Sequence, residues 1–281
     1  MDTCHWHQVN VTFPDWANAE GTAVDHLAPL LDTAETDGLI TSWFFVRKAP
    51  CWRIRYLTRQ TTGEAQAYVH ARLADLRETR RIGDATFTIY EPEVHAFGGA
   101  EGMDATHRLF HLDSRHLLAY LNGTSHTPGN RRRRELSVLL CSRLLRAAGL
   151  DWYEEGDVWA RVAGHRQPPE RIPDDRLRTL QDGLRHLMSI DAGSLTRDNL
   201  PPAFADWTSA FAAAGSELAA LSTDGLLRRG LRAVLAHHII FAWNRHGLPH
   251  TTQAVLAHTA KTVVFGHDPT ADHQLQEREP I

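Results

Sequence analysis

The sequence predicts an α+β fold: a βαββαβ unit over residues 1–100, a mostly helical part over residues 101–266, and a polar tail over residues 267–281. Two observations predict it. Up to Tyr90, four short runs, the first of them alternating apolar and polar residues, read as strands, and apolar residues recur with helical period in two longer ones. From Met103 onward, apolar residues recur at helical spacing in every long segment, broken by proline-rich connectors.

In chain order, His7 to Phe13 puts Val9, Val11 and Phe13 on one face of a first strand. Asp15 is positioned as an N-cap for an amphipathic helix carrying Ala17, Ala19, Ala23, Leu27, Leu30 and Leu31. Asp37-Gly38 breaks that helix, and Leu39 to Val46 reads as a second strand. Ala49-Pro50 turns the chain into a third strand, Trp52 to Leu57. Thr62-Gly63-Glu64 opens a second helix with Tyr68, Leu73 and Leu76, ending near Gly83, and Thr86 to Tyr90 forms a fourth strand. This order matches a ferredoxin-like split βαβ unit, a fold that by itself implies no activity. Further on, helices are expected over Met103–Leu121, Glu135–Leu150, Asp175–Met188, Phe204–Leu221, Leu226–Trp243 and Thr251–Val264, with connectors at Gln167–Pro173 and Asn199–Pro202.

Composition narrows the function. A chain with 42% hydrophobic and 23% charged residues is that of a globular protein with a sizeable core. No window reaches the roughly 18 continuous apolar residues of a membrane span, and the start has no basic and apolar signal pattern. Cys4, Cys51 and Cys141 are too dispersed for a disulfide framework or a CxxC metal site, which fits a reducing cytoplasm. A formal charge of −4 argues against direct nucleic-acid binding. The one short basic run, Arg131-Arg132-Arg133-Arg134, is either a solvated helix end or a docking patch for an acidic partner.

The feature that asks for a ligand is Cys51-Trp52-Arg53-Ile54-Arg55-Tyr56. Arg53 and Arg55 are two apart on a strand, so two permanent charges share one face. A core strand seldom tolerates this without an acidic partner. Glu93, in Tyr90-Glu91-Pro92-Glu93-Val94-His95-Ala96-Phe97-Gly98-Gly99, either neutralises one of them or forms an acid/base pair with His95. Asp113-Ser114 reads as an N-cap restarting a helix, since no G-x-S-x-G elbow supports a hydrolase. On the helix ending at Gly247, His238 and Arg245 are seven apart and share a face, as a candidate acid/base and a carboxylate clamp. Arg47 and Asn244 complete the candidate substrate-binding set.

These segments together resemble the thiopeptide-type bacteriocin biosynthesis family, relatives of the C-terminal elimination domain of lantibiotic dehydratases. The resemblance runs from Trp6-His7-Gln8 to about Gly266 through WFFVRK, CWRIRY, YEPEVHAFGG, LFHLDSRH and FAWNRHGL. It implies a glutamate-eliminating lyase that acts on a ribosomally made precursor peptide. A separate partner would first glutamylate Ser or Thr from glutamyl-tRNA. It also implies that no metal or redox cofactor is needed, with Arg53 and Arg55 binding substrate and His238 or His95 moving protons. Related proteins make a pyridine ring by formal [4+2] cycloaddition, and a non-catalytic precursor-binding subunit is a third reading. The chain has Ala96 where the resemblance implies arginine, and Ile240 and Ala242 where it implies histidine. The oligomeric state, a homo-oligomer included, is left open.

Overall fold

Where the short strand-like runs stand in the sequence, four strands form: β1 (Trp6–Thr12), β2 (Ile40–Lys48), β3 (Cys51–Thr58) and β4 (Ala85–Thr88). The computed structural model describes residues 5–59, 63–124, 132–167, 173–190 and 202–266. Cys4, Thr62, Arg131, most of the two proline-rich connectors and the tail over 267–281 lie outside them. The strands make one antiparallel sheet in the order β2-β3-β1-β4. Two helical segments connect them. A run over Trp16–Thr36 joins β1 to β2, and α3 (Glu64–Glu78) joins β3 to β4.

The register decides what each face carries. Arg55 stands between Gln8 and Phe44, and Arg53 between Asn10 and Val46. Their face is therefore polar on β1 and β3 and apolar on β2. The opposite face carries Val9, Val11, Trp43, Phe45, Trp52, Ile54 and Tyr56, all buried in a core shared with Leu27, Leu30, Leu31, Val69 and Leu73. That core continues without a break into the helical part, through Leu109, Leu144, Trp159 and Trp243. Burying a large apolar side chain contributes about 1.5–3 kcal/mol, so this face anchors the sheet. A second, smaller cluster of Phe44, Val46, Tyr90, Phe97, Met103 and Phe110 covers the β2 half of the arginine face.

The first helical segment departs from expectation. Asp15 caps it, with Oδ1 accepting from Ala17 N at 2.9 Å. It then proceeds as a 3-10 turn (Trp16–Asn18), α1 (Ala19–Thr22), a widened π turn (Ala23–Leu27) and α2 (Ala28–Thr36). Pro29 explains the widening: it has no N–H to donate and its ring crowds the carbonyl of Asp25.

Seven helices follow among the described residues: α4 (Ala100–Thr124), α5 (Arg133–Ala147), α6 (Trp152–Gly164), α7 (Asp174–Ser189), α8 (Pro202–Thr223), α9 (Leu231–Arg245) and α10 (His250–Phe265). Among these residues, no helix is long and apolar enough to cross a membrane. The expectation had no counterpart to α6, although its start carries a readable signal. Asp151 and Glu154 form a reciprocal capping box, with Asp151 Oδ1 accepting from Glu154 N and Glu154 Oε2 from Asp151 N. Helix α9 starts at Leu231, not Leu226, because residues 226–230 are tied elsewhere: Arg228 N donates to Gly98 O at 2.6 Å.

Asp113 and Ser114 do not cap a helix. Both are buried in the middle of α4. Ser114 Oγ accepts from Phe45 N at 3.3 Å and His111 Nδ1 from Trp43 N at 3.1 Å. Two α4 side chains thus satisfy backbone donors on the otherwise open edge of β2.

Gly247 is the C′ residue of α9, at φ +71, in a Schellman arrangement: Leu248 N donates to Trp243 O and Gly247 N to Asn244 O. A Cβ there would also stand 2.8 Å from Arg47 Nη1. Gly247→Ala is expected to lower unfolding free energy by about 1–2 kcal/mol in urea titration. A change under about 0.3 kcal/mol would show that the left-handed cap is not needed.

Candidate functional site

The site starts from Arg55. It is one of the few charged side chains buried among the described residues, at 3% exposure. Its guanidinium lies between two aromatic rings, 4.4 Å from the Tyr90 centroid and 5.3 Å from that of Phe44. This stacking favours a planar cation. Nε donates to Gln8 Oε1 at 2.8 Å, and Nη2 lies 3.8 Å from Glu93 Oε1. The ion pair anticipated for Glu93 is therefore with Arg55, at the long end of the range. Nη1 of Arg55, Nε of Arg53 and Oε2 of Glu93 are buried and make no hydrogen bond among the described residues.

Gln8 extends the polar floor. Its Nε2 donates to Asn10 Oδ1 and Thr88 Oγ1, both at 3.1 Å. Thr86 and Thr88 are exposed, so the floor opens toward β4. Tyr90 was expected to end the fourth strand. That strand ends at Thr88, and Tyr90 leaves the sheet to fold over Arg55. The following turn is held by Phe97 N to Glu93 O and Gly99 N to Val94 O, with Gly98 and Gly99 at φ +84 and +112. Those values suit glycine alone, which is how the turn keeps Glu93 over the sheet.

The wall contains a residue pair that sequence reasoning missed. Tyr90 Oη lies 3.0 Å from Nε2 of His107 on α4. Trp6 packs against the His107 ring at 4.4 Å. Burial first, then the Arg55 and Arg108 charges, pull the His107 pKa down to about 4, so the ring is neutral. Burial pushes the Tyr90 phenol well above its usual value, so it stays protonated. A signal existed in the sequence: His107 interrupts the apolar stripe Met103, Phe110, Leu117 on one face of α4.

The other expected site residues divide. His238 is buried against Phe97 and Phe110, at centroid distances of 5.0 and 6.1 Å. Thr106 Oγ1 donates to Gly102 O, so His238 Nε2, 3.2 Å away, donates to Thr106 Oγ1. Burial, then Arg245 and His237, lower its pKa to about 3. Arg245 is wholly buried and engaged from within: Nε donates to Asp113 Oδ2 at 2.6 Å, and its guanidinium sits 4.0 Å over Phe110. Asn244 Oδ1 accepts from Gln253 Nε2 at 3.0 Å, which joins α9 to α10.

Arg47 lies on the opposite sheet face, 4.5 Å over Trp52 and 2.6 Å from Glu20. Arg133 of the basic run also pairs with Glu20 at 2.6 Å and donates to His246 O, so this half-buried member is engaged within the fold. His95 is exposed on the turn, and no side-chain hydrogen bond links it to Glu93. The structure thus gathers Arg53, Arg55 and Glu93 and adds Gln8, Tyr90 and His107. It ties Arg47, Asn244 and Arg245 into the scaffold.

Residues 6–264 match the family model described as lantibiotic biosynthesis dehydratase C-terminal. No curated protein sequence matches the chain. Among solved structures, the tRNA-dependent lantibiotic dehydratase MibB from Microbispora sp. 107891 aligns with a TM-score of 0.66 and 17% identity. The alignment covers 98% of this chain and 28% of MibB, so the chain spans little more than a quarter of that protein. TsrL aligns with a TM-score of 0.65 and 18% identity over 95% of this chain and 99% of its own. TbtD, the pyridine synthase from thiomuracin biosynthesis, aligns with 0.61 and 12% over 92% and 97%. At these identities the likeness is one of fold.

Proposed function

We propose, because this chain belongs to the lantibiotic biosynthesis dehydratase C-terminal family, that it is a lyase that eliminates glutamate from glutamylated Ser or Thr of a ribosomally made precursor peptide. A separate protein would install the glutamyl group. The observation that carries the reading is the arginine pair, Arg55 buried and Arg53 half-buried, with unmatched donors. Arg55 Nη1 and Arg53 Nε, both buried, lack partners among the described residues on one polar floor. An unmatched buried donor costs about 1–3 kcal/mol, more when charged, which an anion reaching the floor would offset. Among the described residues, the only carboxylate paired with Arg55 is Glu93 at 3.8 Å, too long for a strong bond.

The elimination suits this floor. Removing the α-proton sends the C–H electron pair into the new double bond as the ester C–O bond breaks. The departing glutamate takes that bond's electrons as a carboxylate. Arg53 and Arg55 are disposed to hold the adduct's free carboxylate and to stabilise the negative charge that develops. The strand order and all-antiparallel pairing also support reading the sheet and its two connections as a ferredoxin-like unit.

Incubation with a synthetic glutamylated peptide should release free glutamate and lower the peptide mass to that of dehydroalanine or dehydrobutyrine. Intact glutamyl peptide after prolonged incubation would refute the assignment. A second reading, pyridine-ring formation by cycloaddition, is favoured by one observation. The fold is shared with TbtD, a pyridine synthase from thiomuracin biosynthesis, at a TM-score of 0.61 over 92% of this chain. A peptide carrying two dehydroalanines separates the two: cyclisation with loss of the leader would mark the second.

A further inference from the structure

We propose that Tyr90 is the residue that takes the substrate α-proton, and that His107 positions it and accepts its phenolic proton. This rests on the elimination reading and goes beyond it by assigning the proton path. Three features carry it. Tyr90 Oη and His107 Nε2 are 3.0 Å apart in a buried contact that joins the 90–99 turn to α4. The Tyr90 ring covers the Arg55 guanidinium at 4.4 Å, so the phenol belongs to the same site as the anion clamp. Trp6 packs on the His107 ring at 4.4 Å and fixes its plane.

The alternatives are placed less well. His95 is exposed and unlinked to the arginines. His238 Nε2 is committed to Thr106, and its ring sits behind Phe97 and Phe110. Glu93 turns Oε1 toward Arg55 Nη2 at 3.8 Å, so it faces the anion clamp.

The step balances. The substrate Cα–H bond breaks and Tyr90 Oη–H forms. The former phenolic proton passes to His107 Nε2, which becomes imidazolium. The C–H electrons form the Cα=Cβ bond, and the Cβ–O electrons leave with glutamate. The positive charge gained by His107 matches the negative charge gained by glutamate, and solvent later takes the proton. In the free protein burial first, then the Arg55 and Arg108 charges, hold His107 unprotonated. A carboxylate on Arg55 offsets the Arg55 share of that opposition, so substrate binding makes the imidazole a better acceptor.

The test is steady-state elimination on glutamylated peptide by wild type, Tyr90→Phe and His107→Gln. Tyr90→Phe retains the ring over Arg55 and removes only the oxygen. Both variants are expected to lose about 10²-fold or more in kcat with KM within about threefold, and to unfold at temperatures near that of wild type. If Tyr90→Phe does not fold, the kcat and KM of His107→Gln decide. An active wild type with a variant retaining kcat within about threefold, or a loss carried by KM alone, would overturn the relay and leave the elimination reading standing. A wild type that releases no glutamate would overturn both.

Discussion

Arg55→Lys is expected to abolish glutamate release, lowering kcat/KM by about 10²–10³-fold, even though the charge is retained. The reason is shape. Arg55 works as a plate between Tyr90 and Phe44, with one edge on Gln8 and another edge unmatched among the described residues. A lysine ammonium is a point charge on a flexible stem. It cannot stack between two rings while directing separate donors to Gln8 and to a substrate carboxylate. The substitution would also leave Gln8 Oε1 without its 2.8 Å partner, so a loss of about 1 kcal/mol in stability is expected beside the catalytic loss. Arg134→Ala serves as the contrasting variant: its side chain is 63% exposed and reaches Glu135 only at 3.9 Å. It should retain activity within about twofold. If Arg55→Lys kept more than about a tenth of wild-type kcat/KM, the guanidinium plate would not be part of the site.

That variant also shows what a sequence can reveal and where it stops. The pairing of Arg53 with Arg55 follows from strand periodicity alone, and so does the burial of Trp52, Ile54 and Tyr56 behind them. Local rules likewise reached the Asp15 cap and the Gly247 terminus, because both depend on neighbours in the chain. The contacts that decide chemistry were not local. His107 meets Tyr90 across 17 positions, and Arg55 meets Gln8 across 47. Arg47 looked like a third member of the basic set, but a shift of one residue from Val46 turns it to the other sheet face, where Glu20 and Trp52 take it. Asn244 and Arg245 stood out as polar residues on an apolar helix. Distant partners, Gln253 and Asp113, give them a structural task that no spacing rule exposes.

Asp113→Asn is expected to be the most destabilising single change, at about 3–5 kcal/mol in urea titration. Asp113 is fully buried and gathers three partners from α8 and the end of α9: Trp207 Nε1 at 2.9 Å, Arg245 Nε at 2.6 Å and His246 Nε2 at 3.1 Å. Removing its charge strands Arg245 as a buried cation, for which stacking on Phe110 is insufficient compensation. Replacing both partners, as Asp113→Leu with Arg245→Met, should recover much of the loss, since the penalty comes from the unmatched charge. The pH dependence supplies an independent check. Burial would raise the Asp113 pKa, but Arg245 and His246 outweigh it and hold the carboxyl below its ordinary range. Its contribution is therefore present above the unfolded value near pH 4 and is lost as pH falls below that. His107 and His238 act in an earlier window. Their folded values, about 4 and about 3, lie below the unfolded value near 6.5. The folded state binds fewer protons than the unfolded one there, so stability declines as pH falls from about 6.5. Wild type should thus weaken in two stages, and Asp113→Asn should keep the first and lack the second. An Asp113→Asn protein within about 1 kcal/mol of wild type at pH 7 would mean that Arg245 finds another anion, and that the α4–α9 joint behind the arginine floor does not depend on this pair.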